Sequence, residues 1–305
     1  MLAQIFAPKL LILYTFIGCG IYVHYRGKVR HKFFRQLSDH STIMAPVNCL
    51  MYLFSKVPNT PYLDVKQFPE LQLLQDNWET IREEAKQLSG GGHIKKSEKL
   101  DDLGFNSFFK TGWTRFYLKW YQDYLPSAKA LCPQTLELLR QCPSVKAAMF
   151  TMLPPGGTLV RHRDPYAGSL RYHLGLITPN SDDCYIAVDG EKYSWRDGEE
   201  VMFDETYIHY AANNSDTDRL ILFCDIERPM NNPIAKWFNK IFGRFVVTAS
   251  ATKNTDSDKV GVLNRIFGGV YQIRIIGKKL KAFNKPLYYL VKWALFGLIL
   301  WAIFF

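Results

Sequence analysis

The chain has 305 residues, of which 48% are hydrophobic, 15% aromatic and 22% charged, so disordered, collagen-like and low-complexity proteins are excluded. The formal net charge of +10 is unevenly distributed: residues 36–228 hold 20 basic and 26 acidic residues, whereas both flanking regions are basic. A nucleic-acid-binding module carries its cations on the folded domain itself, so we expect no nucleic-acid partner.

The first element in chain order is an apolar segment, 1–25, whose only formal charge between Leu2 and Tyr25 is Lys9. About 20 apolar residues cross a bilayer core roughly 30 Å thick, so we expect an N-terminal transmembrane helix. A cleaved signal peptide is the alternative, but here the cations follow the apolar segment, in a basic juxtamembrane segment at 26–46.

Residues 47–146 are predicted to form a mainly helical or irregular preface to a catalytic domain. Apolar residues recur at helical spacing between Leu71 and Ala85. The aromatic-rich stretch at 105–124 is typical of a core element, and whether part of it lines an acyl pocket stays open. A short helix is expected over 135–142.

Between residues 147 and 229 the pattern changes to short β-type segments separated by turn sequences. The predicted strands are Ala147–Leu153, Thr158–His162, Ser169–Ile177, Cys184–Val188, Lys192–Trp195, Glu200–Phe203, Tyr207–Ala211 and Leu220–Ile226. Without long helices between them, these strands favour an antiparallel sandwich or jelly roll over a doubly wound α/β sheet.

The C-terminal part is predicted to contain basic amphipathic segments and a linker at 230–285, then a second transmembrane helix at 286–305. The amphipathic segments would lie on an anionic membrane surface or pack on the main domain. Cations next to both apolar segments mark the cytoplasmic side, so the sequence predicts a two-span bacterial inner-membrane protein with a cytoplasmic catalytic domain and periplasmic termini. The oligomeric state stays open.

Six cysteines are present without a CxxC pair or regular spacing. This pattern indicates neither a disulfide framework nor a zinc ribbon. We therefore expect reduced, mostly buried thiols.

A candidate metal site lies within the predicted strands. His162 and Asp164 are two residues apart, so in an extended chain they point to the same face, and His209 follows 47 residues after His162. Two imidazoles and one carboxylate leave open coordination positions, which is the arrangement of non-haem Fe(II) sites that use O₂. An HxD pair alone occurs by chance in many proteins, so the neighbouring residues determine whether it indicates a metal site.

Two arginines accompany this candidate site. Arg171 and His173 share one face of a predicted strand, and Arg219 lies ten residues after His209. A buried guanidinium requires an anion and matches carboxylates, so two of them beside an iron site fit a dicarboxylate cosubstrate. The alternatives are a surface salt bridge of Arg219 with a neighbouring aspartate and a solvent-facing position for Arg171.

An ordered set of motifs extends this pattern over half of the chain. The motifs are Pro155-Gly, His162-x-Asp164, Leu170-Arg-Tyr-His-Leu-Gly-Leu176, Trp195-x-x-Gly198-Glu, Phe203-Asp-Glu-Thr-Tyr-Ile-His209, Arg219 and Asp225-x-x-Arg-Pro229. From about Phe68 to Pro229 the chain thus resembles the aspartyl/asparaginyl β-hydroxylase family of Fe(II)- and 2-oxoglutarate-dependent oxygenases. It resembles in particular the membrane-bound bacterial branch, the lipid A 2-hydroxylases.

The resemblance implies a double-stranded β-helix (jelly-roll) domain in which His162 and His209 hold iron. Arg219 would bind 2-oxoglutarate, with Arg171 and His173 nearby. Asp164 stands where animal members have glycine, and we expect it to be the third iron ligand because a facial triad requires a carboxylate.

One further departure concerns the turn at 154–157, which is one residue longer than the family's usual form. The cosubstrate contact expected just before that turn, near Phe150 or Thr151, is therefore unassigned.

The activity that the resemblance implies is hydroxylation at C2 of a secondary acyl chain of lipid A or a related phosphoglycolipid. Fe(II) would be the cofactor, and 2-oxoglutarate and O₂ the cosubstrates. Two alternatives remain: a β-hydroxylase acting on Asp or Asn side chains of a protein, and an inactive membrane scaffold with the same fold.

Overall fold

The computed structural model describes residues 8–97, 102 and 104–304. Its β-strands are β1 (Tyr62–Leu63), β2 (Thr114–Trp120), β3 (Asp123–Tyr124), β4 (Val145–Leu153), β5 (Thr158–His162), β6 (Ser169–Ile177), β7 (Cys184–Val188), β8 (Glu191–Ser194), β9 (Glu200–Phe203), β10 (His209–Asn213) and β11 (Arg219–Glu227). The last eight coincide with the eight predicted strands to within two residues, which confirms that part of the prediction.

The strands form two antiparallel sheets that share one apolar core, in the manner of a jelly roll. The larger sheet has seven strands in the order β1-β9-β6-β11-β4-β2-β3, and the smaller has four in the order β5-β10-β7-β8. The long central strands β4, β6 and β11 are buried almost throughout, because helices cover one face of the large sheet and the small sheet faces the other.

Helices precede and follow the β region. They are α1 (Pro8–Tyr25), α2 (Phe33–Leu37), α3 (His40–Ile43), α4 (Ala45–Leu53), α5 (Gln72–Asp76), α6 (Trp78–Gly90), α7 (Pro126–Leu131), α8 (Pro133–Arg140), α9 (Pro233–Phe242), α10 (Val262–Phe283) and α11 (Lys285–Phe304). Short 3₁₀ turns occur at Val65–Gln67, Pro69–Leu71, Phe108–Thr111 and Thr248–Ser250, and a π-helical turn, Gly243–Val247, continues α9.

The preface, predicted to be mainly helical or irregular, also contains β2, which is a full strand of the large sheet. Residues 115–119 of this strand are all buried, and they include Arg115 and Lys119. A strand that is buried on both faces shows no alternation of apolar and polar residues, so the sequence pattern did not reveal it.

The prediction of two transmembrane helices is wrong. Helices α1 and α11 exist, but no helix of the described residues combines the length and the apolar character that crossing a bilayer requires. Helix α1 has 18 residues and is about 27 Å long, and α11 begins at Lys285 and contains Lys292. Residues 1–7 and 305 of the two predicted spans lie outside the described residues.

The predicted two-span inner-membrane location, with a cytoplasmic domain and periplasmic termini, depended on those spans and is wrong with them. Part of α1 instead makes an intramolecular contact. Val23 is buried in a second apolar cluster with residues of α4, the β5–β6 loop and the segment before α9, and Cys19 packs against that cluster.

All six cysteines are free, as predicted. Four of them, at positions 132, 142, 184 and 224, are buried.

Candidate metal centre

The small sheet places two histidines opposite each other. Strands β5 and β10 are antiparallel neighbours in which His162 and His209 are paired, and their ring centroids lie 4.2 Å apart. Asp164 follows β5 directly, and its backbone N–H donates a hydrogen bond to the carbonyl of Glu205 at 2.9 Å. Each of these three side chains offers one ligand atom, and the three atoms lie within 4.8 Å of one another.

Hydrogen bonds orient both imidazoles for metal binding. Nδ1 of His162 lies 2.6 Å from the carbonyl oxygen of Val160, and Nδ1 of His209 lies 3.0 Å from that of Tyr207. A ring that donates its Nδ1–H to a carbonyl presents the lone pair of Nε2, and metal-binding histidines are usually held in this way. The donor set therefore fits a divalent cation.

The electrostatic surroundings favour the protonation states that a cation needs. Burial lowers the pKa of His162, and burial together with the charge of His162 lowers that of His209 to about 3. Burial alone would raise the pKa of Asp164, but Arg171 and the two histidines lower it to about 2. At neutral pH the site thus contains two neutral imidazoles and one carboxylate.

Arg171 lies beside the metal candidates but is already paired. Its guanidinium contacts Asp164 at 2.7 Å, lies 3.0 Å from Asp225 and forms an ion pair with Glu205. Burial raises the pKa of Glu205 well above its usual range, and it also raises that of Asp225. The position is neither solvent-facing nor open to a further anion, so Arg171 orients Asp164.

Deeper in the barrel, four polar side chains are buried without partners. Arg219 is 2% exposed, and its Nε and Nη2 have no hydrogen-bond partner within the described part of the chain. The same holds for both ring nitrogens of His173, for Nε1 of Trp195 and for Oγ1 of Thr151. Unpaired buried donors are costly, so this group, which we call the polar chamber, fits an anionic ligand.

Aromatic contacts join the polar chamber to the metal candidates. The Arg219 guanidinium lies 4.5 Å from the ring centre of Trp195, and the Trp195 and His173 centroids are 5.9 Å apart. His173 in turn lies 5.1 Å from Phe203, which lies 5.8 Å from His209. The polar chamber is therefore connected to His209 through successive ring contacts.

An aromatic wall borders the same site. Phe108 lies 4.9 Å from the ring of His162, and Phe105 lies 5.9 Å from Phe223 and stacks on Trp113 at 5.0 Å. These side chains come from the aromatic-rich stretch of the preface. They give the metal side of the barrel an apolar surface.

The structure thus brings together His162, Asp164 and His209, and it leaves Arg219 and His173 unpaired. Among the described residues, Arg219 has no salt bridge with a neighbouring aspartate, so that alternative is not observed.

Three contributors cannot be assigned from the sequence alone. The sequence does not distinguish Phe150 from Thr151 before the longer turn, whereas the structure pairs Thr151 in register with Ile221 on β11 and leaves its hydroxyl unpaired among the described residues. Glu205 and Trp195 belong to recognised motifs, but their contacts with Arg171 and Arg219 depend on how the two sheets meet. Sequence spacing does not contain that information.

Fold and site together define a jelly-roll protein with a candidate triad of metal ligands. Residues 75–229 match the sequence profile of the family described as Aspartyl/Asparaginyl beta-hydroxylase. The chain therefore belongs to the aspartyl/asparaginyl β-hydroxylase family, which confirms the resemblance, and the coarse class of activity is that of a hydroxylase.

Three curated relatives show the range of this similarity. The ornithine lipid ester-linked acyl 2-hydroxylase of Rhizobium tropici is 30% identical over 72% of this chain and 76% of its own. The human aspartate beta-hydroxylase domain-containing protein 2 is 28% identical over 64% of this chain and 54% of its own. The human aspartyl/asparaginyl beta-hydroxylase is 27% identical over 52% of this chain and 21% of its own. The chain thus spans about three quarters of the first relative and about half of the second.

Proposed function

We propose that this protein is an Fe(II)- and 2-oxoglutarate-dependent dioxygenase that hydroxylates C2 of an acyl chain on a membrane lipid, lipid A or a related phosphoglycolipid. One observation carries the proposal: a triad of metal-ligand side chains shares its barrel with the buried guanidinium of Arg219, which pairs with no carboxylate of the described residues. Family membership supports a hydroxylase, and the name of the Rhizobium relative supports an acyl chain as the substrate.

His162, Asp164 and His209 would hold Fe(II) through three protein atoms. Bound there, Fe(II) would supply the oxidising chemistry that converts the acyl chain, 2-oxoglutarate and O₂ into the hydroxylated chain, succinate and CO₂. Arg219 would pair with the distal carboxylate of 2-oxoglutarate, and Thr151 would donate a hydrogen bond to it. Arg171 keeps Asp164 ionised and oriented.

The aromatic wall would exclude water and hold the acyl chain against the metal side of the barrel. Phe105 and Phe108 are each only 9% exposed, and an alkyl chain would pack against the edge of the apolar surface that they form. This arrangement favours a hydrocarbon over the carboxylate or amide of an Asp or Asn side chain. An anionic membrane surface is the partner that such a substrate requires.

Mass spectrometry of lipids tests the proposal. Cells with and without the protein are compared for lipid A and other acylated lipids that carry one added oxygen. The purified protein with Fe(II), 2-oxoglutarate and O₂ should add that oxygen at C2 in vitro. His162→Ala should abolish turnover, whereas His93→Ala, which lies in the turn after α6, should not.

Two outcomes would overturn the proposal in different ways. Hydroxylation of Asp- or Asn-containing peptides, with lipids left unchanged, would favour the protein-hydroxylase alternative. Full turnover by a folded His162→Ala protein would remove the metal assignment itself, and no turnover of any substrate by the wild-type protein would favour the inactive scaffold.

A further inference from the structure

A cavity of about 250 Å³ lies between α9 and the end of the large sheet, outside the metal centre. We call it the cationic pocket; the lining residues that matter for binding are Lys146, Glu227, Lys236, Asn239, Lys240 and Arg244. Its size suits a lipid headgroup, because pockets for drug-sized ligands start at roughly 300 Å³.

The cationic pocket has an excess of positive charge, because only one of its four cations is paired with a carboxylate of the described residues. Lys146 is paired with Glu227 at 2.7 Å. Lys236, Lys240 and Arg244 have no carboxylate partner within the part of the chain that the structure describes, and all three are exposed. Three cations around one concavity form a complementary site for a phosphate group.

Helix α9 divides its surface into three faces. The inner face packs on the protein through Ala235, Phe238, Asn239 and Phe242. The second face presents the three pocket cations, which recur every four residues and therefore form one stripe along the helix. The third face points outward and is apolar.

Three large apolar side chains form this third, outer face. Ile234 is 73% exposed, Trp237 is 62% exposed, and Phe245, in the turn that continues the helix, is 66% exposed. An apolar stripe with a tryptophan that adjoins a stripe of cations is typical of helices that lie at a bilayer interface. Neither stripe is covered by another described element.

The inner contacts couple this surface to the metal centre. The amide of Asn239 donates a hydrogen bond to the carbonyl of Gly168 at 3.0 Å, and Tyr166 stacks on Phe242 with centroids 4.5 Å apart. A side chain at Gly168 would collide with Asn239 and Tyr166, so glycine permits this close approach. The loop held in this way, 163–168, contains Asp164.

We infer that the cationic pocket binds the phosphate of an anionic phospholipid headgroup, while Ile234, Trp237 and Phe245 enter the bilayer interface. In the docked protein, the loop that contains Asp164 would face the lipid surface, because this loop packs on α9. The biological reason for this docking rests on the proposed function. The binding itself does not, because headgroup binding requires neither Fe(II) nor turnover.

Vesicle co-sedimentation of the full chain, without iron or 2-oxoglutarate, tests the inference. Binding to phosphatidylcholine vesicles should appear when phosphatidylglycerol is added and should weaken with salt. Each cation near an anionic surface contributes on the order of 1 kcal/mol, so Lys236→Gln/Lys240→Gln should bind about 30-fold more weakly. Trp237→Ser should also weaken binding.

The matched control is Lys66→Gln/Lys86→Gln, which removes two exposed lysines outside the pocket. An equal loss of binding in this control would overturn the inference, because it would show diffuse charge attraction. So would calorimetric binding of glycerol 3-phosphate without vesicle binding, since the ligand would then be a soluble phosphate. Failure of lipid hydroxylation with vesicle binding intact would refute the proposed function and leave this inference standing.

Discussion

Two arginines on neighbouring strands of the barrel carry opposite electrostatic roles. Arg171 is paired in register with Asp225 and contacts two further carboxylates. Arg219 contacts no carboxylate among the residues that the structure describes, and burial lowers its pKa to about 10. Arg171 is fully paired and has a structural role, whereas the charge of Arg219 is available to bind an anionic ligand.

Removal of the unpaired arginine should separate stability from cosubstrate binding. We expect Arg219→Met to raise the free energy of unfolding of the ligand-free protein by about 1–2 kcal/mol, because it removes an uncompensated buried charge. The same variant should bind 2-oxoglutarate at least about 100-fold more weakly. Thermal unfolding with and without 2-oxoglutarate measures both effects.

Arg228→Met is the control for this experiment. Arg228 is equally buried but lies 2.8 Å from Asp204, so its loss should destabilise the protein and leave 2-oxoglutarate affinity largely unchanged. A destabilised Arg219→Met protein would contradict the assignment of Arg219 as an unpaired anion ligand.

Lys119 provides a pH test at the residue scale. Burial and the charge of Lys146 lower the pKa of Lys119 to about 8, and its ammonium donates to the carbonyl of Val145 at 2.6 Å. The folded state therefore disfavours the charged lysine: the cost is fully present below pH 8 and disappears as pH rises to the unfolded pKa of about 10.4. Between these values the unfolded chain binds more protons, so stability rises with pH.

We expect Lys119→Met to be about 1–2 kcal/mol more stable than the wild type at pH 7. This difference should shrink as pH rises from about 8 to 10. Chemical denaturation at several pH values measures it, with Lys129→Met, an exposed lysine on α7, as the control. A difference that stays constant with pH would refute the assigned cause.

At the scale of elements, the segment after α1 clamps the loop that leads to His209. Arg26 contacts Asp204 at 2.9 Å and lies 3.9 Å from the ring centres of both Tyr52 and Tyr207. The backbone N–H groups of residues 28 and 29 donate to the carboxylate of Asp189, at the end of β7. This segment therefore fixes the loop between β9 and β10 from outside the barrel.

Loss of this clamp should reach the metal centre. Arg26→Met leaves Asp204 with Arg228 alone, so we expect a loss of about 2–3 kcal/mol in stability and roughly 10-fold weaker Fe(II) binding through a less ordered His209. Lys28→Met is the matched control, because Lys28 pairs with Glu191 at 2.7 Å on the exposed surface, so its loss should leave stability and metal affinity nearly unchanged. Unchanged metal affinity in Arg26→Met would show that the clamp acts only on stability.

For the whole molecule, the features that could be predicted from the sequence are those that depend on local patterns of residues. Strands β4 to β11 were identified because turn sequences separate short β-type segments, and the HxD spacing located two of the three metal candidates. The partners of Arg171 could not be identified, because Glu205 reaches it from the β9–β10 loop, and that approach depends on how the two sheets meet.

The terminal helices show the other limit of sequence patterns. Apolar composition alone does not say whether a side chain meets lipid or protein. Val23 in α1 is buried against α4 and the segment before α9, and this contact connects residues more than 200 positions apart. The transmembrane prediction failed because the pattern of α1 fits both environments.

The two ends of the chain should therefore differ in their contribution to the fold. Helix α11 packs on α10, and most of its described side chains are exposed; Trp293 approaches Phe34, which itself remains exposed. A chain that ends at Asn284 should keep its melting temperature within about 2 °C and retain Fe(II) binding. A chain that begins at Lys32 loses Arg26 and the buried part of α1, so it should melt at least about 10 °C lower and bind Fe(II) weakly. Thermal unfolding by circular dichroism and a metal titration decide the matter, and equal effects of the two truncations would contradict this division of roles.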